Sequence, residues 1–330
     1  METKNYENGI NVLSLFDGCS AAYLALERAG FKINNYYSSE IDKHCIAVQN
    51  YHYSGNTNFH QIGDVRRINA MNYLDVDLVI FGSPCTQLSS INSKDRSGLE
   101  GPDSSLFFDA LRILNQINIF QYSNKKLYFL MENVASMTNK DRDKITNELR
   151  EIFPDLQLLK IDSALVAPAH RRRLYWTNIP NVTVPLANGK SYQDILVNGY
   201  VDREKANVLL SGDVTLTSGI NRHYDMNMGN IIFKDKEFSQ LPTDEKLLKY
   251  PDILKKSAYV SKKGLITSQY DFPNGCYRVP SILERERMMT FTDGYINDVP
   301  NVPKSEKKKI LGLSFTVDIV VHLLSFLKNH

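Results

Sequence analysis

The stretch NVLSLFDGCSAAYLALERAG, residues 11–30, joins a continuous apolar run to a segment of helical periodicity through a short loop. Residues 11–16 predict a buried strand, and residues 21–30 predict a helix that ends at Gly30. Ser20 stands where a helix N-cap is expected, with a hydroxyl that can accept from a backbone N–H. A buried strand that passes directly into a helix is typical of a parallel sheet with helical crossovers.

The same alternation continues along the chain to Asn178. Apolar runs bounded by turn residues predict strands, and the periodic segments between them predict amphipathic helices. The predicted strands are 35–40, 77–82, 125–132 and 173–178, and the predicted helices are 41–51, 104–117 and 143–153. We therefore predict an α/β fold with a doubly wound, mostly parallel, Rossmann-like sheet.

The pattern changes after Asn178. Residues 180–275 are rich in Asn, Gly, Ser, Lys and Asp, and periodic segments return only at 281–291 and 314–327. We therefore predict three parts. They are a large domain at 1–178, a smaller irregular domain at 179–276 and a C-terminal segment at 277–330 that returns to the large domain.

Composition is that of an ordinary globular protein, with 330 residues, 42% apolar and 23% charged, and a net charge of +2. This charge neither indicates nor excludes a nucleic-acid partner, since a local basic face is enough for such binding. The four cysteines lack zinc-ligand spacing, which predicts no metal site and a reducing compartment. The sequence shows no signal segment or membrane span, so we expect a cytoplasmic protein, nucleoid-associated in a bacterium or in the host cell for a virus.

Three polar features follow predicted strands, at the edge where open parallel sheets bind ligands. They are the loop FDGCS at 16–20, Glu40, which is 22 residues after Gly18, and Asp64 in IGDVRR. The loop lacks a GxGxxG pattern, which argues against a pyrophosphate. Together they favour a nucleoside cofactor without pyrophosphate, with S-adenosylmethionine as the obvious candidate. An ordinary turn and two solvated carboxylates are the alternative interpretation.

A thiol follows another predicted strand in FGSPCTQLSS, residues 81–90, where Pro84 stiffens the chain just before Cys85. A rigid thiol at the end of a strand is well placed as a nucleophile, although most single cysteines are structural. LMENVASM places Glu132 and Asn133 at the end of the next strand, and APAHRRRLYW places a basic run just before the last one. We expect these polar groups to meet the thiol at one sheet edge.

Taken in order, these motifs resemble those of the carbon-5 cytosine-specific DNA methyltransferase family. The matches are FDG at 16–18, Pro84 and Cys85, Glu-Asn-Val at 132–134, Arg171 and Arg173, and GLSFTVDIV at 312–320. The residues of these motifs are most similar to those in the catalytic domain of the de novo class of animal DNA methyltransferases. The chain departs from the family at Ser20, where a second glycine is common, at Thr86, where bacterial members carry glutamine, and at Leu313, where asparagine is usual.

The resemblance implies a Rossmann-like methyltransferase sheet, a role for each motif, and S-adenosylmethionine as cofactor with S-adenosylhomocysteine as product. Cys85 is implied as the nucleophile that attacks carbon 6 of cytosine, Glu132 as the acid that holds the ring, and Arg171 and Arg173 as the positive charges that favour the thiolate. The implied cofactor residues are Phe16, Asp17, Gly18, Cys19, Ser20, Glu40, Ile41, Asp64, Val65, Ser83, Pro84, Ser314 and Phe315. The implied substrate-binding residues are Asn133, Ser89, Asn92, Lys94 and Arg96.

The implied partner is double-stranded DNA, from which the target base is flipped out. Residues 86–104 resemble the mobile catalytic loop of the family, and 179–276 would be its target-recognition domain. Lys255, Lys256, Lys262 and Lys263 suit phosphate contact there, and a solvated lysine face is the equal alternative. A cognate restriction endonuclease is a further partner that the sequence leaves open.

Three other functions compete with this interpretation. A relative that methylates tRNA would share Cys85 and Glu132. The closer match of the catalytic loop and of HRRRLYW to the class that acts on DNA weighs against this alternative. A non-catalytic, regulatory relative that binds DNA or protein partners would lose the thiol, the acid or the cofactor loop, and all three are present. A nicotinamide oxidoreductase fails on the glycine pattern.

Overall fold

The computed structural model describes part of the chain, and the loop at 86–104 lies outside the described residues. The described residues are 9–84, 106–121, 125–210, 223–224, 227–243, 245–246, 258–260, 266–268 and 276–329. Cys85, Ser89, Asn92, Lys94 and Arg96 lie outside the described residues, as do Lys255, Lys256, Lys262 and Lys263.

The chain divides into two compact units. The first comprises Met1–Asp162, Arg172–Leu186 and Phe315–His330, and the second comprises Ser163–Arg171 and Ala187–Ser314. The domain bounds of 1–178, 179–276 and 277–330 stay a prediction.

The first unit contains a seven-stranded sheet of order β3-β2-β1-β4-β5-β7-β6. Its strands are β1 Ile10–Leu15, β2 Ile33–Ser39, β3 Phe59–Gln61, β4 Leu78–Phe81, β5 Tyr128–Val134, β6 Gln157–Asp162 and β7 Arg172–Thr177. The pairs among β1 to β5 are parallel, and β7 runs antiparallel to both β5 and β6. This confirms the predicted α/β fold with a mostly parallel sheet. The sequence pattern did not predict β3, which has three residues, or β6, whose side chains are mostly half-buried.

Strand order changes direction at β1, which pairs with β2 on one side and β4 on the other. A ligand crevice opens at the carboxyl ends of the strands at such a switch point. Leu15 of β1 pairs with Ser39 of β2 and with Phe81 of β4, and Phe81 pairs with Met131 of β5. The loops that follow these strands therefore leave one sheet edge together.

Helices cover the sheet of the first unit. They are α1 Ala21–Arg28, α2 Lys43–Tyr53, α3 Leu106–Phe120 and α4 Asn139–Ile152. Fully buried aliphatic and aromatic side chains from both layers form the core, among them Leu13, Phe81, Phe107, Phe129 and Trp176. The alternation of apolar strands and helices in the sequence results from this burial of the sheet on both faces.

Helix ends follow local capping. Asp42 accepts from the backbone N–H of His44 at 2.8 Å, so α2 begins at Lys43. Thr138 accepts from the N–H of Asp141 at 3.1 Å, so α4 begins four residues before the predicted start at 143. Gly30, at φ 73°, ends α1 as predicted.

The second unit carries short elements. They are β8 Ile232–Phe233, α5 Lys236–Gln240, β9 Ala258–Val260, β10 Ile266–Ser268, β11 Tyr277–Arg278, α6 Ile282–Met288 and α7 Lys304–Leu313. β8 pairs with β11 and β9 pairs with β10, both antiparallel. Ile231, Phe233, Phe238 and Tyr277 form a small core.

Residues Lys304–Lys328 have the length and composition of a membrane span. The structure divides them into α7, of 10 residues, and α8 Val317–Ser325, of 9 residues. Each is about 15 Å long or shorter, half of the roughly 30 Å hydrocarbon core of a bilayer. Val317, Ile319 and Leu323 of α8 are fully buried within the first unit, where α8 packs on α1.

A buried ionic cluster lies in the second unit around Asp202. Its carboxylate accepts from His223 Nε2 at 3.0 Å and Tyr224 Oη at 2.6 Å, and Lys246 Nζ lies at 3.4 Å. Burial acts to raise the pKa of Asp202, but the hydrogen bonds from His223 and Tyr224 and the charge of Arg203 outweigh it. They hold this pKa well below its ordinary value. Lys246, 1% exposed, also places its ammonium 4.7 Å from the centre of the Phe233 ring.

We expect Asp202→Asn to lower the free energy of unfolding by about 3 kcal/mol at pH 7, because it leaves the buried Lys246 without its counter-charge. A folded pKa below the unfolded value of about 3.9 stabilises the protein above that unfolded value, and the benefit begins to be lost there and declines progressively as the pH falls towards the folded pKa. The gap between wild type and variant in urea unfolding should therefore shrink from pH 7 to pH 3.5. Glu237→Gln, on the exposed face of α5, is the control; a constant gap would contradict the expectation.

Candidate active site

The loop after β1 has an unusual backbone. Phe16, Gly18 and Ser20 all have positive φ, at 54°, 60° and 60°. Phe16 and Ser20 carry side chains, so each left-handed conformation costs about 1 kcal/mol or more and must be held by its surroundings. A Cβ added to Gly18 would meet no atom of the described residues within 4 Å, so that part of the structure leaves open space in front of this loop.

Ser20 does not cap α1, contrary to the prediction. Its side chain makes no cap hydrogen bond, and its hydroxyl instead donates to Asp17 Oδ2 at 2.6 Å. The left-handed backbone of Ser20 turns the hydroxyl away from the first turn of the helix. Cys19, beside it, is buried at 1% exposure.

Glu40, directly after β2, is bound to the same loop. Its Oε2 accepts from the backbone N–H of Gly18 at 2.7 Å, and its Oε1 accepts from the N–H groups of Ile41 and Asp42, each at 2.7 Å. Ile41 is 66% exposed, an apolar side chain presented to solvent beside the acid. The structure thus brings Gly18, Glu40 and Ile41 together at the crevice.

Asp64 lies in the turn after β3 and pairs with Arg66. Arg66 Nη2 donates to Oδ2 at 2.6 Å, and the Arg66 backbone N–H donates to Oδ1 at 3.0 Å. The Arg66 guanidinium holds the pKa of Asp64 below its usual value. Because the Arg66 side chain is 62% exposed, a ligand can displace this pair at small cost. Val65, next to it, is buried.

Glu132 and Arg173 meet between β5 and β7. Arg173 Nε lies 2.8 Å from Glu132 Oε1, and the two side chains are 14% and 12% exposed. Among the described residues, no donor makes a well-aligned hydrogen bond to this Oε1, although the atom is buried. The structure therefore brings Glu132 and Arg173 together as a largely buried ion pair at this edge of the sheet.

Gly82, at the end of β4, was not singled out in the sequence as a site residue. A Cβ there would meet the Phe315 ring at 3.0 Å and Glu132 Oε2 at 3.4 Å. Only glycine therefore lets Phe315 and Glu132 approach the chain at this point. The Gly82-Ser83 pair before Pro84 was the available signal.

Asn133 follows Glu132 on β5 and is buried, at 1% exposure. Its Nδ2 donates to Ser83 Oγ at 3.1 Å, and its Oδ1 accepts from the Val134 N–H at 2.7 Å. The amide predicted to bind substrate thus contacts Ser83, two residues before Cys85.

Arg171 and Ser314 lie in the second unit. Arg171 is 5% exposed and donates to the carbonyl oxygens of Gly312 at 3.0 Å and Ser314 at 2.8 Å. The Ser314 hydroxyl donates to the Ile310 carbonyl at 2.8 Å. The structure therefore separates the two arginines by their contacts, since Arg173 pairs with Glu132 and Arg171 binds the end of α7.

We expect Arg171→Ala to lower the free energy of unfolding by about 2 kcal/mol, because two carbonyls lose a charged donor. The neighbouring Arg172, 71% exposed and paired with Asp162, is the matched control, and Arg172→Ala should change stability by less than about 0.5 kcal/mol. Chemical denaturation measures both. Equal losses for the two variants would show that the buried contacts of Arg171 contribute no special stability.

The described residues hold no group of three or more His, Cys, Asp or Glu side chains placed to bind a metal ion. The site consists of a strained loop with an open face, two acids beside it, and an acid–arginine pair between β5 and β7, next to the strand β4 that leads to Cys85. These features lie at the carboxyl edge of the sheet.

The chain belongs to the C-5 cytosine-specific DNA methylase family, whose model matches residues 10–329. This confirms the resemblance seen in the motifs. DNA (cytosine-5)-methyltransferase DRM2 of Oryza sativa subsp. japonica is 36% identical over 122 residues, 34% of this chain and 20% of that protein. Orphan methyltransferase M.Rho11sI of Bacillus phage rho11s is 31% identical over 173 residues, 50% of this chain and 32% of that protein. The aligned region thus spans about a fifth to a third of the curated relatives.

Solved structures share the fold along almost the whole chain. Entamoeba histolytica methyltransferase EhMeth superposes with a TM-score of 0.64 at 16% identity, covering 97% of this chain and 98% of that one. A Spodoptera frugiperda DNMT2 mutant gives 0.61 at 17% identity, covering 96% and 99%. At these identities the likeness extends to the fold.

Proposed function

We propose that the protein transfers a methyl group from S-adenosylmethionine to carbon 5 of cytosine in double-stranded DNA. The observation that carries the proposal is the pair of Glu132 and Arg173 packed beside Gly82 and Phe315. This cluster lies at the end of the strand that runs into Pro84 and Cys85. Membership of the C-5 cytosine-specific DNA methylase family supports it.

The crevice at the end of β1 fits a nucleoside cofactor. The open face of Gly18 leaves room for a ligand, Glu40 offers carboxylate oxygens for ribose hydroxyls, and the exposed side chain of Ile41 gains burial against an aromatic base. Asp64 can exchange Arg66 for an adenine amino group. S-adenosylmethionine, when bound, supplies an electrophilic methyl group. The other cofactor contacts proposed from the motifs are Phe16, Cys19, Ser20, Val65, Ser83, Pro84, Ser314 and Phe315.

The chemistry requires Cys85 as a thiolate. Its sulfur adds to carbon 6 of cytosine, and the electron pair of the 5,6 double bond moves to carbon 5, which then takes the methyl group. Glu132 in its acid form donates to N3 and accepts from the exocyclic amine, which offsets the negative charge that builds in the ring. Water, as the base, then takes the carbon-5 proton, and the C–H electron pair restores the 5,6 double bond as the thiolate leaves carbon 6. Positive charge from the arginines favours the thiolate.

Carbon 5 inside a duplex is out of reach, so the target cytosine must leave the stack. Unstacking costs a few kcal/mol, which contacts within the pocket must offset. We assign Ser89, Asn92, Lys94 and Arg96 of the loop at 86–104 to the phosphates or the orphan base, and 179–276 to target recognition. A cytoplasmic location is part of this proposal.

The experiment that tests the function offers labelled S-adenosylmethionine with duplex DNA in one arm and tRNA in the other. Label in DNA at carbon 5 of cytosine is the expected result. Label in tRNA alone would replace DNA with RNA as the substrate, and no label in either would contradict the proposal. Bisulfite sequencing of DNA from cells that express the chain then reads the target sequence.

A further inference from the structure

Asp17 stands in the loop after β1, and the motif resemblance implied it as a cofactor contact. The structure gives its carboxylate different partners. Asp17 is 6% exposed. Five side chains donate to it: Ser14 Oγ at 2.5 Å, Tyr36 Oη at 2.5 Å, Ser20 Oγ at 2.6 Å, Ser38 Oγ at 2.7 Å and Gln49 Nε2 at 3.2 Å.

These donors come from separate parts of the first unit. Ser14 lies on β1, Tyr36 and Ser38 on β2, Gln49 on α2, and Ser20 in the loop itself. All five are almost fully buried, at 1% exposure or less. Water therefore cannot replace a donor that is removed, and the network joins the loop to two strands and a helix.

Gln49 extends the network to the loop backbone. Its Nε2 also donates to the Gly18 carbonyl at 2.8 Å, while the Gly18 N–H donates to Glu40. The backbone N–H and the backbone carbonyl of Gly18 are therefore both hydrogen-bonded to side chains outside the loop. On the open face of Gly18, an added Cβ would meet none of the residues that the structure describes, and neither of these hydrogen bonds lies there.

The network also explains how the strained backbone persists. Phe16 and Ser20 flank Asp17 on either side with left-handed φ, a conformation that relaxes unless contacts enforce it. Burial raises the pKa of Asp17 above its ordinary value, although the hydrogen bonds from Ser14, Ser20, Tyr36 and Ser38 act to lower it. The five donors are four hydroxyls and one side-chain amide. They suit a carboxylate, which accepts on both oxygens, better than an asparagine amide, which accepts on one.

We propose that Asp17 is a positioning residue for the cofactor site, whose carboxylate holds the loop 16–20 in its binding shape and does not itself touch the cofactor. This inference rests on the proposed function and changes the part that Asp17 takes in it. The buried carboxylate of Asp17 and the hydrogen bond that Tyr36 donates to it set the affinity of the loop for a sulfonium nucleoside.

The test uses the full chain and S-adenosylhomocysteine as the probe, with calorimetry for the dissociation constant and thermal unfolding for stability. We expect Asp17→Asn and Tyr36→Phe to weaken binding about tenfold or more, since each removes charge-assisted hydrogen bonding. Tyr23→Phe is the matched control. The Tyr23 ring packs edge-on against the Tyr36 ring, with 5.0 Å between the ring centres, and the Tyr23 hydroxyl accepts from Asn56 Nδ2 at 2.6 Å. Tyr23 is not among the five side chains that donate to Asp17. It should bind within about twofold of wild type at a comparable loss of melting temperature.

Hydrogen exchange of the peptide that spans 16–20 gives a second readout that needs no cofactor. Faster exchange there in Tyr36→Phe than in Tyr23→Phe, with the rest of the sheet unchanged, is the expected result. Equal affinities and equal exchange for the two tyrosine variants would overturn the role of Asp17. A wild-type protein that fails to bind the probe would contradict the proposed function instead, and the exchange data would still decide whether Asp17 holds the loop.

Discussion

Replacing Cys85 by alanine is expected to abolish methyl transfer, by a factor of about 10⁴ or more in turnover, while duplex DNA still binds. The size of the loss follows from the chemistry of cytosine. Carbon 5 is a poor nucleophile until a thiolate adds to carbon 6, and alanine offers no group that can add. Binding survives because phosphate contacts, which dominate affinity for DNA, do not involve the thiol.

Two measurements decide this expectation. Single-turnover transfer of labelled methyl reports the chemical step, and a duplex with 5-fluorocytosine at the target reports the covalent bond, because the fluorine blocks its release. Cys276→Ala is the matched control, a half-buried thiol of the second unit that should retain full activity. Near-normal transfer by Cys85→Ala, or a stable adduct formed by that variant, would remove Cys85 from the mechanism.

The fold was largely predictable because its signals are local. The predicted strands β1, β4 and β5 are buried apolar runs, β2 mixes buried and half-buried residues, and α1, α3 and α4 each bury one apolar face. β6 was missed because its residues are mostly half-buried and lack a continuous apolar run. Its place at the sheet edge comes from antiparallel pairing with β7, a non-local interaction that a single sequence does not display.

The site was predictable in its residue types and less so in its contacts. Glu132 and Arg173 were expected to converge because both adjoin strand ends, and the sheet brings them to 2.8 Å. The predicted N-cap role of Ser20 was wrong because a carboxylate three residues away competes for its hydroxyl, and the substrate role of Asn133 stays a prediction. Asp17 takes the hydroxyl of Ser20 from the helix cap, and Ser83 engages the amide of Asn133.

Glu132→Gln is expected to lower the single-turnover rate by about 10²-fold or more, with DNA affinity changed by no more than about threefold. Glutamine matches the carboxylic acid in shape, and its amide can donate to N3 and accept from the exocyclic amine. The base is therefore still held. Glutamine cannot give up or regain a proton as charge develops in the ring, however, and it also loses the ion pair with Arg173.

The comparison of three variants separates these two losses. Arg173→Gln removes the ion pair and keeps the acid, so a smaller loss for it than for Glu132→Gln assigns the larger effect to the proton. Glu151→Gln, on the exposed face of α4, is the control for removal of one negative charge from the first unit and should leave the rate unchanged. A Glu132→Gln enzyme that formed the fluorocytosine adduct as fast as wild type would show that addition of sulfur to carbon 6 needs no acid at N3.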